Sequence, residues 1–147
     1  MDIAEVAIRL LKFRSHSQYE LRQKLLKQGY DELAVNKAIE YVTERGYLND
    51  AALCDMLLAK YAELNKYSLK ESFLRLRRRG LPASLINAKL ADWDENLEYQ
   101  AALKLVTKHL RGDECQDMSK VIRRMSAKGF KAATVSKVLE HLRDMSP

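Results

Sequence analysis

Residues 17–30 read SQYELRQKLLKQGY, and the two ends of that stretch decide the fold. Serine caps a helix N-terminus by accepting a bond from an orphan first-turn N–H, which is the place Ser17 holds. Glu20, three residues on, can return a bond to the cap's own N–H and complete a capping box. Gly29 suits the left-handed position just past a helix end, because it has no Cβ to clash. Leu21 and Leu25 lie between them on one face. The spacing therefore predicts a helix that opens at Ser17 and stops at Gly29. The same frame returns twice. Gly80, in Arg79-Gly80-Leu81, and Gly129, in Lys128-Gly129-Phe130, follow at separations of 51 and 49 residues. Twelve positions before them stand Ser68 and Asp117, both cap types. Glu71 repeats the box, whereas Lys120 occupies that place in the third unit. Leu76 and Met125 match Leu25, and Phe73, Val121 and Ile122 match Leu21.

Apolar stripes at helical spacing flank each frame. Before it run Ile3, Val6, Ala7, Leu10 and Leu11; then Leu53, Met56, Leu57, Tyr61 and Leu64; then Ala102, Leu103, Val106 and Leu110. After it run Val35, Ala38, Ile39 and Val42; then Ile86, Leu90 and Trp93; then Val135, Val138, Leu139 and Leu142. The expected architecture is all-α: three tandem three-helix repeats, 1–50, 51–96 and 97–147, stacked into an elongated, curved body. Composition agrees. In 147 residues, 47% hydrophobic and 31% charged, a packed core is expected rather than disorder. Five glycines and two prolines are too few for a turn-rich β protein.

The chemistry classes thin out quickly. No uninterrupted apolar run exceeds four residues, far short of a bilayer span, and the chain opens on Asp2 and Glu5 where a signal peptide is basic. A cytoplasmic protein with no membrane association is expected. Cys54 and Cys115 are isolated and read as reduced thiols used as small packing residues. The histidines His16, His109 and His141 are scattered; His16, beside the Ser17 cap, reads as part of the turn. Asp92, Asp94 and Glu95 read as a solvated helix end, and Asp113-Glu114 beside Gly112 as a loop. No phosphate-cradling glycine loop is present. We expect no catalytic, metal or cofactor site, and so no enzyme and no cofactor.

Charge says more. Lys and Arg number 26 against 20 Asp and Glu, a formal +6. The excess is zero over 1–50, +2 over 51–96 and +4 over 97–147. Taking Leu69, Phe73 and Leu76 as the inner face, the helical angle sends Arg75 and Arg78 outward with Arg77 and Arg79 on the flanks. By the same construction Lys120, Arg123 and Arg124 point away from Met118, Ile122 and Met125, and Lys24 and Lys27 are the counterparts in the first unit. The position five before each glycine is basic throughout: Lys24, Arg75, Arg124. A solvated face complementing the helix dipole explains one or two of these per helix. The run from Arg75 to Arg79 suits a polyanion or an acidic protein surface better. Tyr61 and Trp93 read as packing residues and not as base platforms.

Here the residues meet a known family. Ala7 to Arg14 (AIRLLKFR), His16-Ser17-x-x-Glu20-Leu21-x-x-Lys24-Leu25, Gly29-Tyr30 and Gly46-Tyr47-Leu48-Asn49-Asp50 resemble the RecX family of regulators of the RecA recombinase. Leu74 to Leu81 (LRLRRRGL) and Arg123 to Phe130 (RRMSAKGF) are similar to the signatures of its second and third units. Two departures stand out: Lys66-Tyr67-Ser68-Leu69 replaces a glycine-rich turn, and Asn49 stands where Asp is common. The resemblance implies three tandem three-helix repeats and a monomer that binds RecA or lies in the groove of the RecA–DNA filament. It implies suppression of ATP hydrolysis, strand exchange and co-protease activity by occupancy alone, as part of the control of recombination, DNA repair and the SOS response. The expected contact residues, toward RecA or DNA phosphate, are Lys24, Lys27, Arg75, Arg77, Arg78, Arg79, Lys120, Arg123 and Arg124, with direct DNA binding a weak accessory. Two other readings remain open at this point. One is an autonomous DNA-binding helical module, although no unit offers a base-reading cluster at the start of a recognition helix. The other is a helical scaffold.

Overall fold

The computed structural model describes residues 2–109 and 118–144. Among these described residues the chain is all-α, with no strand. The helices are α1 (Ile3–Phe13), α2 (Gln18–Lys27), α3 (Glu32–Glu44), α4 (Asp50–Leu64), α5 (Leu69–Arg78), α6 (Ala83–Leu90), α7 (Glu95–His109), α8 (Met118–Ala127) and α9 (Ala132–Asp144). Leu110, Gly112, Asp113, Glu114, Cys115 and the expected cap Asp117 lie outside the described residues, as does the His109 side chain.

The local signals act as their chemistry requires. Ser17 and Glu20 form both halves of the capping box of α2, and Ser68 Oγ accepts the Glu71 N–H at 3.0 Å. Gly29, Gly80 and Gly129 are all left-handed, at φ 98°, 82° and 88°. Each sits in the same closing turn. The N–H of the next residue reaches back to a buried carbonyl five earlier: Tyr30 to Leu25, Leu81 to Leu76, Phe130 to Met125. That bond satisfies one orphan carbonyl and folds the following large side chain under the helix.

Two compact units result: Met1–Leu57 with Arg75–Lys89, and Leu58–Leu74 with Leu90–Pro147. In the first, α1, α2 and α3 close around Ala7, Leu21, Leu25, Val35, Ala38, Ile39, Val42 and Leu48. In the second, α7, α8 and α9 close around Ala101, Ala102, Val106, Val121, Met125, Phe130, Val135 and Val138. The sequence period and the compact units divide the chain differently, because α4 and α5 contribute to both units.

Inside each unit the same seam joins a central helix to the elements that follow it. In the first unit Ser17 Oγ–H donates to the carbonyl of Arg79, the residue before Gly80. Asp50 Oδ1 accepts the Gln18 N–H at 2.8 Å. In the second unit Ser68 Oγ–H donates to the carbonyl of Lys128, the residue before Gly129, at 2.7 Å. Glu98 Oε1 accepts the Leu69 N–H at 3.1 Å, while its other oxygen accepts the Thr134 hydroxyl at 2.5 Å. Each serine therefore caps its own helix N-terminus and a second helix's C-terminus with one hydroxyl. The glycines make room for this approach. A Cβ on Gly80 would meet the Tyr19 side chain at 2.6 Å, and one on Gly129 would meet Lys70 and Ser68 at 3.1 Å. Tyr19 and Lys70 are equivalent, each two residues past its cap serine.

Several expected stripes shift. On α4, Met56 and Leu64 are exposed, and Cys54 and Leu58 join Leu53 and Leu57 inside. The helix serves two units, so its buried face is wider than one stripe. On α8, Val121 and Met125 take the inner face, and Ile122 and Met118 turn toward solvent. Trp93 lies past the end of α6, in a turn closed by its N–H to the Leu90 carbonyl. Asp94, next along, already accepts the Asn96 N–H at the start of α7.

Two substitution series test the seam by urea denaturation. Ser17→Ala and Ser68→Ala each lose a cap and a cross-helix bond, and should cost roughly 2 kcal/mol. Gly29 has nothing within 4 Å of a Cβ position, so Gly29→Ala should cost only the left-handed backbone, about 1–2 kcal/mol. Gly80→Ala should cost that and about 1–3 kcal/mol more for displacing Tyr19. Equal effects at the two glycines would contradict the close approach of Tyr19.

Candidate partner interface

The expected basic residues divide into two sets. Lys24, Lys27, Arg75, Arg77, Arg78 and Arg79 belong to the first unit; Lys120, Arg123 and Arg124 belong to the second.

On α5 the helix end is already held by the seam, and this sorts the four arginines. Arg79 is taken up internally. Its Nε donates to Glu20 Oε2 at 2.9 Å and its Nη2 to the Ser15 carbonyl at 3.1 Å. Arg75, expected to point outward, is half-buried and its Nε is out of solvent. A helical angle that assumes one covered face on α5 places Arg75 outside, and its half-buried side chain departs from that. Arg77 and Arg78 are exposed, and Arg77 Nη1 donates to the Leu81 carbonyl at 2.9 Å, which steadies the guanidinium beside the closing turn. The outward cationic edge of α5 is therefore Arg77 and Arg78.

On α2, Lys24 and Lys27 are exposed. Lys24 Nζ lies 2.9 Å from His16 Nε2, and His16 Nδ1 lies 2.7 Å from the Arg14 carbonyl. A carbonyl only accepts, so Nδ1 carries the proton, and Nε2 accepts from the lysine ammonium. The imidazole, 3% exposed, is thus held neutral. Its pKa is lowered by burial first and by the Lys24 and Arg14 charges, against the opposing pull of the Arg14 carbonyl and Glu20. Glu20 also sits low. Burial alone would raise it, but the Arg79 hydrogen bond, the Ser17 N–H and the charges of Arg79 and Arg14 outweigh that. On α8, Lys120, Arg123 and Arg124 are all exposed.

No group of three or more His, Cys, Asp or Glu among the described residues could hold a metal ion. Cys54 is buried, and burial followed by the Asp55 charge pushes its thiol up. No helix of the described residues is long and apolar enough to cross a membrane. A residue that composition and spacing pass over is Tyr19. It is 55% exposed and packed on Gly80 beside the arginine run. The only signal for it is its place two residues past the cap, which gains meaning once the seam is seen.

His16 makes stability depend on pH. The unfolded histidine takes its proton near 6.5 and the folded one at lower pH. Between those values the unfolded state binds more protons, so stability is complete above pH 6.5 and falls as the pH drops through that window. The urea midpoint should decline there for the native chain and should lose that component in His16→Gln.

The chain is similar to proteins whose names agree with one another. The model for "RecX, first three-helix domain" matches residues 5–41. The Regulatory protein RecX of Chlorobium limicola is 24% identical, covering 99% of this chain and 92% of the relative. That of Mycobacterium sp. (strain JLS) is 32% identical, covering 81% of this chain and 67% of the relative. The crystal structure of RecX from Lactobacillus salivarius superimposes with a TM-score of 0.84 at 16% identity, over 97% of this chain and 95% of that one. Sequence relatives and fold converge, and the chain belongs to the RecX family of regulatory proteins.

Proposed function

We propose that this protein binds RecA, as free protein or as the DNA-bound filament, and suppresses ATP hydrolysis, strand exchange and co-protease activity. Family membership spanning nearly the whole chain is the observation that carries this reading. The action is occupancy. The described residues present cationic edges at Arg77 and Arg78 in one unit and at Lys120, Arg123 and Arg124 in the other. Such edges attract an acidic protein surface or phosphates and raise the rate of encounter. In this reading the repeats 1–50, 51–96 and 97–147 act together as a monomer in the cytoplasm. Arg79 serves the seam and Arg75 stays partly covered, so contact falls chiefly on the exposed cations, with Lys24 and Lys27 contributing from α2.

The test titrates the protein into DNA-dependent RecA ATPase, with and without preformed filaments. Inhibition should grow with occupancy. Reversing both exposed charges, Arg77→Glu with Arg78→Glu, should raise the concentration needed by roughly tenfold or more, as like charges now face the partner. The helical circular dichroism should not change. Undiminished inhibition by that variant would remove the α5 edge from the interface.

A further inference from the structure

We propose that Tyr19 is a stacking platform for an unpaired nucleobase, so that the first unit contacts single-stranded nucleic acid directly. This goes beyond the RecA reading and is tested without RecA.

Three observations carry it. First, the side chain is both fixed and open. Its Cβ, Cγ and Cδ1 lie against the Gly80 backbone, so close that a Cβ there would meet them at 2.6–2.8 Å, yet the residue remains 55% exposed. A ring held on one side loses little freedom when something lies on the other. Second, packing does not call for an aromatic there. At the equivalent place in the second unit Lys70 covers Gly129 with its aliphatic stem. A stem is enough to cover the glycine, so the ring at 19 offers a π-face beyond what the seam uses. Third, cations flank it. Arg77 is tied to the Leu81 carbonyl, the residue next to Gly80, and Arg78 is exposed on the same helix end. Arg79, between them and the glycine, is committed to Glu20 and Ser15, which anchors the edge instead of competing for the ligand.

An exposed ring packed on Gly80, at a helix end that also carries the exposed Arg77 and Arg78, suits an unpaired strand, whose bases stack on the ring while its phosphates meet the cations. In a duplex the base faces are already stacked on one another, so the platform prefers the single strand. The aromatics singled out from the sequence do not compete. Tyr61 is half-buried and packs edge-on to Tyr67 at 5.3 Å, and Trp93 is half-buried in its turn.

The experiment measures binding of the full chain to fluorescein-labelled oligothymidylate by anisotropy. Tyr19→Phe should bind as the native chain does. Tyr19→Leu, which keeps apolar cover on Gly80 but has no π-face, should bind roughly 5- to 150-fold more weakly, the worth of one stacked base. The salt dependence should stay the same, since no phosphate contact is lost. In a second measurement, Tyr19→Trp in a Trp93→Phe background should show fluorescence quenched by the oligonucleotide and little changed by the matching duplex. Absence of binding by the native chain, native-like affinity of Tyr19→Leu, or unquenched fluorescence would each overturn the proposal. If Tyr19→Leu weakened RecA inhibition but not oligonucleotide binding, the platform would take a protein side chain and the proposal would again fail.

Discussion

One hydroxyl in each seam carries two helix ends. Ser17 Oγ accepts the Glu20 N–H at the start of α2 and donates to the Arg79 carbonyl at the end of α5. Ser68 does the same for α5 and the end of α8. A helix terminus leaves four backbone groups without partners, and burying such an end without replacements is expensive. Here the buried ends of two helices answer each other. The geometry works only if the second helix stops at a residue without a Cβ, as Gly80 and Gly129 do. Carboxylates at Asp50 and Glu98 complete the arrangement by taking the first free N–H past each serine. The seam thereby fixes register as well as contact, because a slip by one residue would orphan all of these groups.

That constraint decides what is left for a partner. Of four basic residues crowded at the end of α5, the seam claims Arg79 through Glu20, Arg75 is half-buried, and Arg77 and Arg78 are exposed. Under the proposed function, the exposed cations are the ones offered to a partner. Beside Ser17, His16 resembles a candidate for chemistry, yet both ring nitrogens are spent, one on the Arg14 carbonyl and one on Lys24. It holds the chain entering α2 and keeps its neutral form.

Much of this was legible in the residues. Cap serines, the box at Glu20, three terminating glycines and the inner leucines are local signals, because a helix end depends on the chemistry of a few neighbouring residues. They predicted the starts of α2 and α5, the stops of α2, α5 and α8 and most of the buried faces, and motifs such as H-S-x-x-E-L and G-Y-L-N-D pointed to the family. Met56, Ile122 and Arg75 were assigned by the angle around one helix, which presumes one covered face. On α4, which contributes to both units, Cys54 and Leu58 are inside where Met56 was expected; Arg75 is half-buried and Ile122 is exposed.

The sequence by itself determined the caps of α2 and α5, the glycines that stop α2, α5 and α8, and that the described elements are helices. Tertiary structure alone decided that Ser17 reaches Arg79 across 62 positions, that Tyr19 lies on Gly80, and that Arg77 and Arg78 rather than Arg75 and Arg79 face outward. The reason is physical range. Capping and periodicity act over one or two turns, whereas the partner of a hydroxyl, a ring or a guanidinium depends on what the completed fold brings beside it.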